Sequence, residues 1–445
     1  MFSMTFFNGK IPSVEDRLKI KEAAHWIEQG MEERKEGFGW LWLPSEDPAV
    51  LLEVAQWLRS FNALVQVGIG GSSLGNLMLH QALLPPYYNE LSTEQRGAPR
   101  FYMADNLDEE ENQAIWNALD LDRSGFIVVS KSGRTLETMA NFLFFWERLK
   151  DRLGPKAASR VVVITDQKAG LLRQFVLETG CRSLSLPRDV GGRYSVLSSV
   201  GLLSAAALGI DVRGLLMGAS KAHDALLEKK DFDENPGWSL AWNLYRQLEM
   251  KRSTTVFMPY GDRMERLAEW FCQLWAESLG KEGMGFTPQR ALGAVDQHSQ
   301  LQLYSQGPDD KCYVVVGLEP RKSSPLKIGD ELCLQELAYM GDLSQQELLS
   351  HERRAVMAVL AGEGKPVFSI TMERLDARTL GGLIFFLEYV TALTGRLMNV
   401  QPFDQPGVEL GKKFANGLAG RKEDQTYAEI VREVEERTLT TKVEL

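Results

Sequence analysis

The sequence predicts an α/β protein with parallel sheets, because runs of strand character alternate with runs of helical periodicity. The strand-like runs are short and rich in β-branched residues, and they span residues 63–67, 126–130 and 160–165. Amphipathic helical segments lie between them, for example at 108–119 and 135–150. Strands and helices that take turns in this way form a parallel sheet with helices on both faces. Ligands bind outside the carboxyl ends of such strands, so we expect the turns after residues 67 and 130 at one shared edge.

A second alternation of the same kind follows a helical stretch at 196–250. Its apolar strand-like runs span residues 254–258, 313–317 and 367–371. The segment Asp231–Pro236 is polar and rich in turn-forming residues, which is typical of a connection between domains. We therefore expect an N-terminal helical segment, two α/β domains and a C-terminal helical segment. The boundaries predicted for these four parts are 1–60, 61–215, 240–405 and 406–445.

The composition is that of an ordinary globular protein and argues against several kinds of partner. The 445 residues are 44% hydrophobic and 25% charged, and the formal net charge is −10. Lysine and arginine are scattered among acidic residues rather than grouped in a basic run, so we expect no nucleic-acid binding. The longest apolar stretch, 381–400, contains Glu388 and Arg396, which favours a core helix over a membrane span.

The cysteines and the N-terminus favour a cytoplasmic protein. Cys181, Cys272, Cys312 and Cys333 show no C-x-x-C spacing, which predicts reduced, mostly buried thiols rather than disulfides or a zinc site. The first ten residues have no basic region followed by an apolar core, so we expect no signal peptide.

Two turns that each join a strand to a helix carry the first candidate binding residues. Val67–Gly75 reads VGIGGSSLG and lacks both the dinucleotide-binding spacing and the lysine of a P-loop. Ser130–Thr138 reads SKSGRTLET and carries four hydroxyl side chains together with Lys131. A need for small residues would explain the first pattern, and a helix N-cap at Ser132 or Thr135 would explain the second. Hydroxyls and N–H groups at helix starts also bind anions without a metal, so two such turns at one edge favour a phosphorylated substrate.

Arg193 and Glu277 are candidates for the chemical step. Arg193 follows two glycines that permit a close backbone approach; alone it would be typical of a surface, but beside an anion site it suits the stabilisation of developing negative charge. Glu277 lies in the last turn of a helix predicted at 263–279, on a polar stripe with Glu269 and Gln273. The helix dipole disfavours negative charge there, which suits a general base, although most glutamates on such stripes are merely solvated.

His298 and a lysine near the C-terminal helix complete the candidates. His298 lies in the polar loop 293–300, where it suits an acid or base role, although a lone histidine is more often structural. An extended segment with two prolines precedes a short helix that carries Lys412 and Lys413. Spacing alone does not distinguish these two lysines.

Taken together, these blocks resemble the phosphoglucose isomerase (glucose-6-phosphate isomerase) family. The block GGRYSVLS at 191–198 resembles one family signature, and GVELGK at 407–412 resembles the other. The block ESLGK at 277–281 also matches. The blocks occur in the family's order from about residue 63 to residue 413, and the chain is similar to the short bacterial forms.

The resemblance implies a fold and an activity. The fold is two sugar-isomerase (SIS) αβα sandwich domains with parallel sheets, plus N- and C-terminal helical segments. The activity is the reversible interconversion of glucose 6-phosphate and fructose 6-phosphate through a cis-enediol, without cofactor or metal. The family also implies a homodimer in which the ring-opening histidine comes from the neighbouring subunit, and no nucleic-acid or membrane partner.

The resemblance also implies roles for single residues. Glu277 matches the base that moves a proton between C1 and C2, and Arg193 matches the arginine that faces the enediolate. His298 matches the ring-opening histidine, and Lys412, not Lys413, matches the lysine that assists it. The matched substrate contacts are Gly71, Ser72, Ser130, Lys131, Ser132, Thr135, Gln273 and Gln405.

Three positions depart from the family pattern, and two other functions stay open. Arg134 stands where a small residue or threonine is usual, Leu279 replaces an asparagine, and Pro406 replaces a bulky residue. One alternative is an isomerase that also accepts mannose 6-phosphate, since the same enediol can be reprotonated on either face. The other is a non-catalytic SIS-type module that binds a phosphosugar. Such a module needs only the phosphate turns, so the acid and base candidates argue against it.

Overall fold

The computed structural model describes residues 1–320, 326 and 335–437, so Cys333 lies outside the described residues. Residues 1–403 form one compact unit, and the chain from Asp404 onward forms a second. The strands are β1 (Phe2–Phe7), β2 (Ala63–Val67), β3 (Arg100–Ala104), β4 (Ser124–Val129), β5 (Val161–Thr165), β6 (Arg182–Ser185), β7 (Thr254–Pro259), β8 (Thr287–Arg290), β9 (Lys311–Leu318) and β10 (Val367–Met372).

The α-helices connect these strands and form the second unit. They are α1 (Val14–Glu32), α2 (Ala49–Leu58), α3 (Leu74–Leu83), α4 (Thr93–Arg96), α5 (Glu109–Asn117), α6 (Leu136–Leu153), α7 (Leu171–Thr179), α8 (Ser199–Ala207), α9 (Val212–Glu228), α10 (Pro236–Glu249), α11 (Glu265–Leu279), α12 (Leu301–Gln306), α13 (Gln345–Gly362), α14 (Ala377–Leu397), α15 (Pro406–Leu418) and α16 (Gln425–Glu436).

The first sheet is parallel throughout and has the order β3-β2-β4-β5-β6. Strand β2 lies between β3 and β4, with Val67 opposite Ala104 on one side and Val128 on the other. Every residue of β2, β4 and β5 is buried, as expected for parallel strands covered on both faces. The predicted α/β class is confirmed, and the turns that follow β2 and β4 lie at the same edge.

The second sheet has the order β1-β10-β9-β7-β8, and β1 is its one antiparallel strand. We expected a helical segment over residues 1–60, and α1 and α2 are indeed helical, but Phe2–Phe7 is a strand. Its aromatic side chains explain the difference. The ring of Phe2 lies 5.1 Å from that of Phe386, and the ring of Phe6 lies 5.8 Å from that of Phe368.

Helix α14 is the core helix of the first unit. Among the described residues it is the one helix long and apolar enough to cross a membrane, and 94% of its apolar window is buried inside the protein. The backbones of α14 and α9 approach each other closely where the two helices cross. A Cβ added at Gly218 would lie 1.8 Å from the carbonyl oxygen of Arg378, and one added at Gly381 would lie 2.0 Å from that of Leu215. The stretch that we predicted as a core helix is therefore confirmed as one.

The second unit contains α15 and α16, joined by a short 3-10 turn at Lys422–Asp424. The rings of Phe414 and Tyr427 pack edge to face at 5.4 Å between the two helices. Helix α15 begins at Pro406, a position at which the missing N–H of proline costs no hydrogen bond.

The α9–α14 crossing gives a test of the packing. We expect Gly218→Ala to destabilise the protein by about 1–3 kcal/mol, because the added methyl group must push the two helix backbones apart. Gly362→Ala is the matched control, since a Cβ there meets nothing within 4 Å at the end of α13. The thermal midpoint, measured by circular dichroism, should fall for Gly218→Ala alone. An equal midpoint in both variants would contradict the close approach.

Candidate active site

The turn after β2 is held by side chains that leave its serine hydroxyl available. The Nε2 amide of Gln66 donates to the carbonyl oxygen of Ser72 at 2.9 Å, and Asn76 in turn donates to Oε1 of Gln66 at 3.2 Å. Gln66 and Asn76 are fully buried, so these hydrogen bonds fix the main chain of the turn. In the described part of the chain the Ser72 hydroxyl has no hydrogen bond of its own. The turn therefore presents one free hydroxyl at the edge of the sheet.

The turn after β4 folds on itself through its hydroxyl groups. Ser130 Oγ accepts a hydrogen bond from the Gly133 amide at 3.0 Å and lies 3.3 Å from Thr135 Oγ1. Ser132 Oγ accepts from the Arg134 amide at 3.2 Å. Thr135 occupies the N-cap position of α6, but its side chain makes no capping bond. The predicted N-cap position at Thr135 is therefore confirmed, but the first amides of α6 have no side-chain cap among the described residues.

Lys131 connects this serine-rich turn to the segment that leads to Arg193. Its Nζ donates to the carbonyl oxygens of Arg188 at 2.6 Å and Val190 at 3.2 Å. Partial burial lowers the pKa of the Lys131 ammonium from its ordinary value. Lys131 thus brings positive charge to the turn while it anchors a neighbouring loop.

Gly71 and Gly192 bring the first turn into direct contact with the Arg193 turn. A Cβ added at Gly71 would lie 2.2 Å from the carbonyl carbon of Gly192, so no larger residue fits. The Ser195 hydroxyl donates to the carbonyl oxygen of Gly192 at 2.7 Å and lies 3.3 Å from that of Gly71. The backbones at Gly71 and Gly192 are in direct contact, and this contact places Arg193 next to the glycine-rich turn.

Arg193 is buried, so its interpretation as a surface arginine is wrong. The residue is 2% exposed, and its guanidinium donates to Oε2 of Glu277 at 3.2 Å and to the carbonyl oxygen of Pro402 at 2.6 Å. A buried cation is stable only with such charged and polar partners. Arg193 therefore cannot swing out to solvent without leaving these acceptors behind.

Glu277 lies at the centre of the predicted residues. Its Oε1 accepts a hydrogen bond from Gln273 Nε2 at 3.0 Å, while Oε2 faces Arg193. The side chain is nevertheless 32% exposed, so a ligand has access to the carboxylate. A Cβ at Gly70 would lie 3.0 Å from Gln273 Nε2, which places the glycine-rich turn against Gln273 as well. The structure thus brings together Gly71, Arg193, Gln273 and Glu277.

Three further groups at this site were not predicted from the sequence. Ser278 Oγ accepts from Arg193 Nε at 2.8 Å and lies 3.3 Å from the Tyr194 hydroxyl. Both side chains are fully buried, and burial raises the pKa of Tyr194. Each is the sequence neighbour of a predicted residue, which was the available signal. The Pro402 carbonyl gave no signal, because a main-chain oxygen is the same in every residue.

His298 is not brought to Glu277 by any contact in the described residues. It ends a 3-10 turn at Val295–Gln297 and is exposed. Asp296 holds this loop, because its carboxylate accepts from the Leu292 amide and the Ser299 hydroxyl, each at 2.7 Å. In the part of the chain that the structure describes, the imidazole of His298 has no hydrogen bond.

Gln405 and Lys412 belong to the second unit. Gln405 precedes the first residue of α15, and Lys412 lies on an exposed face of that helix with its Nζ 2.7 Å from Oε1 of Glu409. The neighbouring Lys413 lies instead over the ring of Tyr427 at 5.6 Å. The roles of Gln405 and Lys412 remain predictions.

The polar groups at the site suit an anionic organic ligand. Arg193 and Gln273 contact one accessible carboxylate, and hydroxyls and helix-start amides follow neighbouring strands of the first sheet. Across the described residues, no three His, Cys, Asp or Glu side chains form a group that could hold a metal ion. An anion binds to such donors, and the carboxylate is placed to exchange a proton with it.

Comparisons with known proteins agree with the geometry. The sequence matches the family model for phosphoglucose isomerase over residues 54–308 and 332–435. A glucose-6-phosphate isomerase from Rubrobacter xylanophilus is 43% identical over 376 residues, which cover 83% of this chain and 86% of that protein.

Solved structures share the fold over nearly the whole chain. A protein from Thermus thermophilus, described as hypothetical, superposes with a TM-score of 0.84 at 32% identity, covering 94% of this chain and all of that one. A glucose-6-phosphate isomerase from Chlamydia trachomatis has a TM-score of 0.78 at 21% identity, covering 98% of this chain and 92% of that one, and shows a shared fold. The family match, the sequence identity and the residues gathered around Glu277 lead to one conclusion: the chain belongs to the phosphoglucose isomerase family.

Proposed function

We propose that this protein interconverts glucose 6-phosphate and fructose 6-phosphate through a cis-enediol intermediate. The observation that carries the proposal is the Glu277 carboxylate, which is open to a ligand yet held between Gln273 and the buried Arg193. The glycine-rich turn lies against Gln273, and the serine-rich turn follows the neighbouring strand of the same sheet. An aldose–ketose isomerase needs this combination of a fixed base and an anion site.

Glu277 is the proposed base for the chemical step. It takes the proton from C2 of the open-chain aldose and returns it to C1, while a hydroxyl proton passes from O2 to O1. Negative charge develops on these oxygens in the enediolate between the two transfers. Arg193, which lies 3.2 Å from Glu277, supplies a fixed positive charge at that place.

The serine-rich turn is the proposed phosphate site. Ser130, Ser132 and Thr135 contribute hydroxyls, the start of α6 contributes amides, and Lys131 contributes positive charge. The glycine-rich turn is proposed to contact the rest of the substrate. The contacts proposed outside the serine-rich turn are Gly71, Ser72, Gln273 and Gln405.

A homodimer with shared active sites is the proposed assembly. The imidazole of His298 is exposed and has no hydrogen bond to any described residue, which supports a role in the site of the neighbouring subunit, where it would open the sugar ring with help from Lys412. The proposed compartment is the cytoplasm, which the free and buried thiols of Cys181 and Cys312 support.

The direct test is an isomerase assay with purified protein. Fructose 6-phosphate should yield a product that glucose-6-phosphate dehydrogenase oxidises, and mannose 6-phosphate in a parallel assay measures the breadth of the substrate range. Absence of turnover at micromolar enzyme, with phosphosugar binding retained, would instead identify a binding module.

We expect Glu277→Gln to lose turnover by about a thousandfold, because the amide cannot accept the proton. Binding of fructose 6-phosphate, measured by calorimetry, should persist. Glu269→Gln is the matched control on the same helix, where Glu269 pairs with Arg266 and Arg290 instead, and it should keep most of the activity. If Glu277→Gln still exchanges the C2 proton of the substrate with deuterium oxide, Glu277 is not the base.

We expect Ser132→Ala to raise KM by about tenfold with little change in kcat, because one hydrogen bond to the phosphate is lost from substrate and transition state alike. Steady-state kinetics with fructose 6-phosphate measures both constants. Ser159→Ala changes an exposed serine of the same half of the chain whose hydroxyl bonds only to the Lys156 carbonyl, and it should leave both unchanged. A selective fall in kcat for Ser132→Ala would contradict the phosphate assignment.

Co-expression of two inactive variants tests whether sites are shared between subunits. A mixed dimer of Glu277→Gln and His298→Ala chains should contain one intact site, so random assembly should restore roughly a quarter of wild-type activity. A control pair of Glu277→Gln with Gln273→Ala should stay inactive, because both residues come from the same subunit. No recovery in the first pair, with mixed dimers present, would place His298 in the site of its own chain.

A further inference from the structure

A cavity lies at the carboxyl edge of the second sheet. It encloses about 970 Å³. Its floor is formed by residues that follow β7, β9 and β10, among them Arg263, Glu319 and Leu375, and its sides come from the C-terminal end of α3 and from α13. None of the residues assigned to the proposed isomerase site lines it.

The cavity occupies the position in the second sheet that the substrate turns occupy in the first. In the first sheet the strand order reverses between β2 and β4, and the glycine-rich and serine-rich turns follow those two strands. In the second sheet the order reverses between β7 and β9, and the cavity opens after these strands. Ligands of open parallel sheets bind at such reversal points. The topology therefore supplies two equivalent places for a ligand.

Several buried polar groups around the cavity lack partners. His80 is 9% exposed, and neither ring nitrogen has a hydrogen bond within the described residues. The same holds for Arg263 Nε and the hydroxyl of Tyr88. Burial lowers the pKa of His80 to about 3, so the imidazole is neutral and has one N–H to donate. Unpartnered buried donors are costly, so the described residues leave this wall of the cavity with unsatisfied polar atoms.

Arg353 brings a buried positive charge to the cavity, whose lining also includes Arg263 and the carboxylates of Glu90, Asp262 and Glu319. The residue is 5% exposed, and among the described residues its guanidinium makes one hydrogen bond, from Nη1 to the Thr371 hydroxyl at 3.0 Å. Gly317 makes room for it, since a Cβ there would lie 2.3 Å from Nη1. No carboxylate of the described chain comes within ion-pair distance of it. A buried guanidinium with most of its donors unused is suited to a phosphate or carboxylate group.

Aromatic and aliphatic side chains also line the cavity. They include the rings of Tyr87, Phe101 and Tyr260 and the side chain of Leu349. The volume is at the upper end of the range for small-molecule sites and far exceeds that of an inorganic anion. We propose that this cavity is a second ligand site, which binds a small organic anion with its phosphate or carboxylate on Arg353 and its carbon body against the aromatic side chains.

Calorimetry with phenyl phosphate tests the proposal. The titration is run on wild-type protein and on Ser132→Ala, in which the proposed phosphate contact of the isomerase site is weakened. Wild-type protein should show a binding event that Ser132→Ala leaves unchanged. Arg353→Gln should weaken it at least about tenfold, and Arg353→Lys should recover part of the loss because the charge returns. Arg354→Gln removes the exposed arginine next along α13 and should bind like wild type.

Three further probes separate the contributions. Benzoate tests whether a carboxylate can replace the phosphate group of phenyl phosphate. Inorganic phosphate tests the need for the aromatic ring, and phenol tests the need for the negative charge. Phenyl phosphate or benzoate should bind more tightly than the other two, and whichever is preferred identifies the anion. Equal binding of phenol, equal weakening by Arg354→Gln, or no binding of either ring anion would overturn the proposal.

A second variant tests the same cavity without changing a buried residue, in case Arg353→Gln does not fold. Gln346 is an exposed residue at the cavity wall, so Gln346→Trp fills the space without disturbing the core. Its circular dichroism spectrum should match that of wild type, and phenyl phosphate binding should fall. Unchanged binding in Gln346→Trp would place the ligand elsewhere and overturn the assignment to this cavity.

Discussion

The proposed active site depends on the hydrogen bonds that the buried guanidinium of Arg193 donates. This guanidinium holds Glu277, Ser278 and the Pro402 carbonyl at hydrogen-bond distance, and these acceptors come from two segments far apart in the chain. A cation with 2% exposure requires such partners, and removing one of them from a buried pair costs about 3–5 kcal/mol. Because one of the acceptors is Glu277 itself, the contacts that stabilise the arginine also fix the carboxylate. The Arg193 guanidinium therefore contributes both to the packing of this region and to the proposed chemistry of Glu277.

The sheets determine where the functional side chains meet. The strand order reverses once in each sheet. At each reversal, the carboxyl edge of the sheet carries polar side chains that are available to a ligand. The first edge has small residues and hydroxyls, with Gly71 in backbone contact with Gly192. The second has Arg353 and aromatic rings around an open volume. One architecture thus carries two edges with different recognition chemistry.

The sequence predicted the interior strands of the fold and missed the edges. Strands β2, β4, β5, β7, β9 and β10 were predicted, because buried parallel strands form continuous apolar runs. The four strands that were not predicted, β1, β3, β6 and β8, are the edge strands of the two sheets. An edge strand is half solvated and needs no such run; β8, for example, reads TPQR.

At the candidate active site, too, some features were predictable from the sequence and others were not. The hydroxyls after β4 and the carboxylate on α11 were predictable, because their chemistry lies in the residue types and their spacing. The burial of Arg193 was not predictable from local sequence, since its acceptors lie 84 to 209 positions further along the chain. Thr135 stands at the predicted N-cap position, but its hydroxyl lies against Ser130 and makes no capping bond, which local sequence did not indicate.

The distance along the chain between Arg193 and its acceptors has a consequence for synthesis. The first sheet is complete at residue 185, so it is translated well before Glu277 and Pro402 exist. Until then the guanidinium of Arg193 has none of these three acceptors, and a charge that lacks them stays in water rather than in a core. The last acceptor follows 209 residues after the donor. The nascent protein can thus complete its first sheet early, whereas the hydrogen bond from Arg193 to Pro402 forms only after Pro402 has been translated.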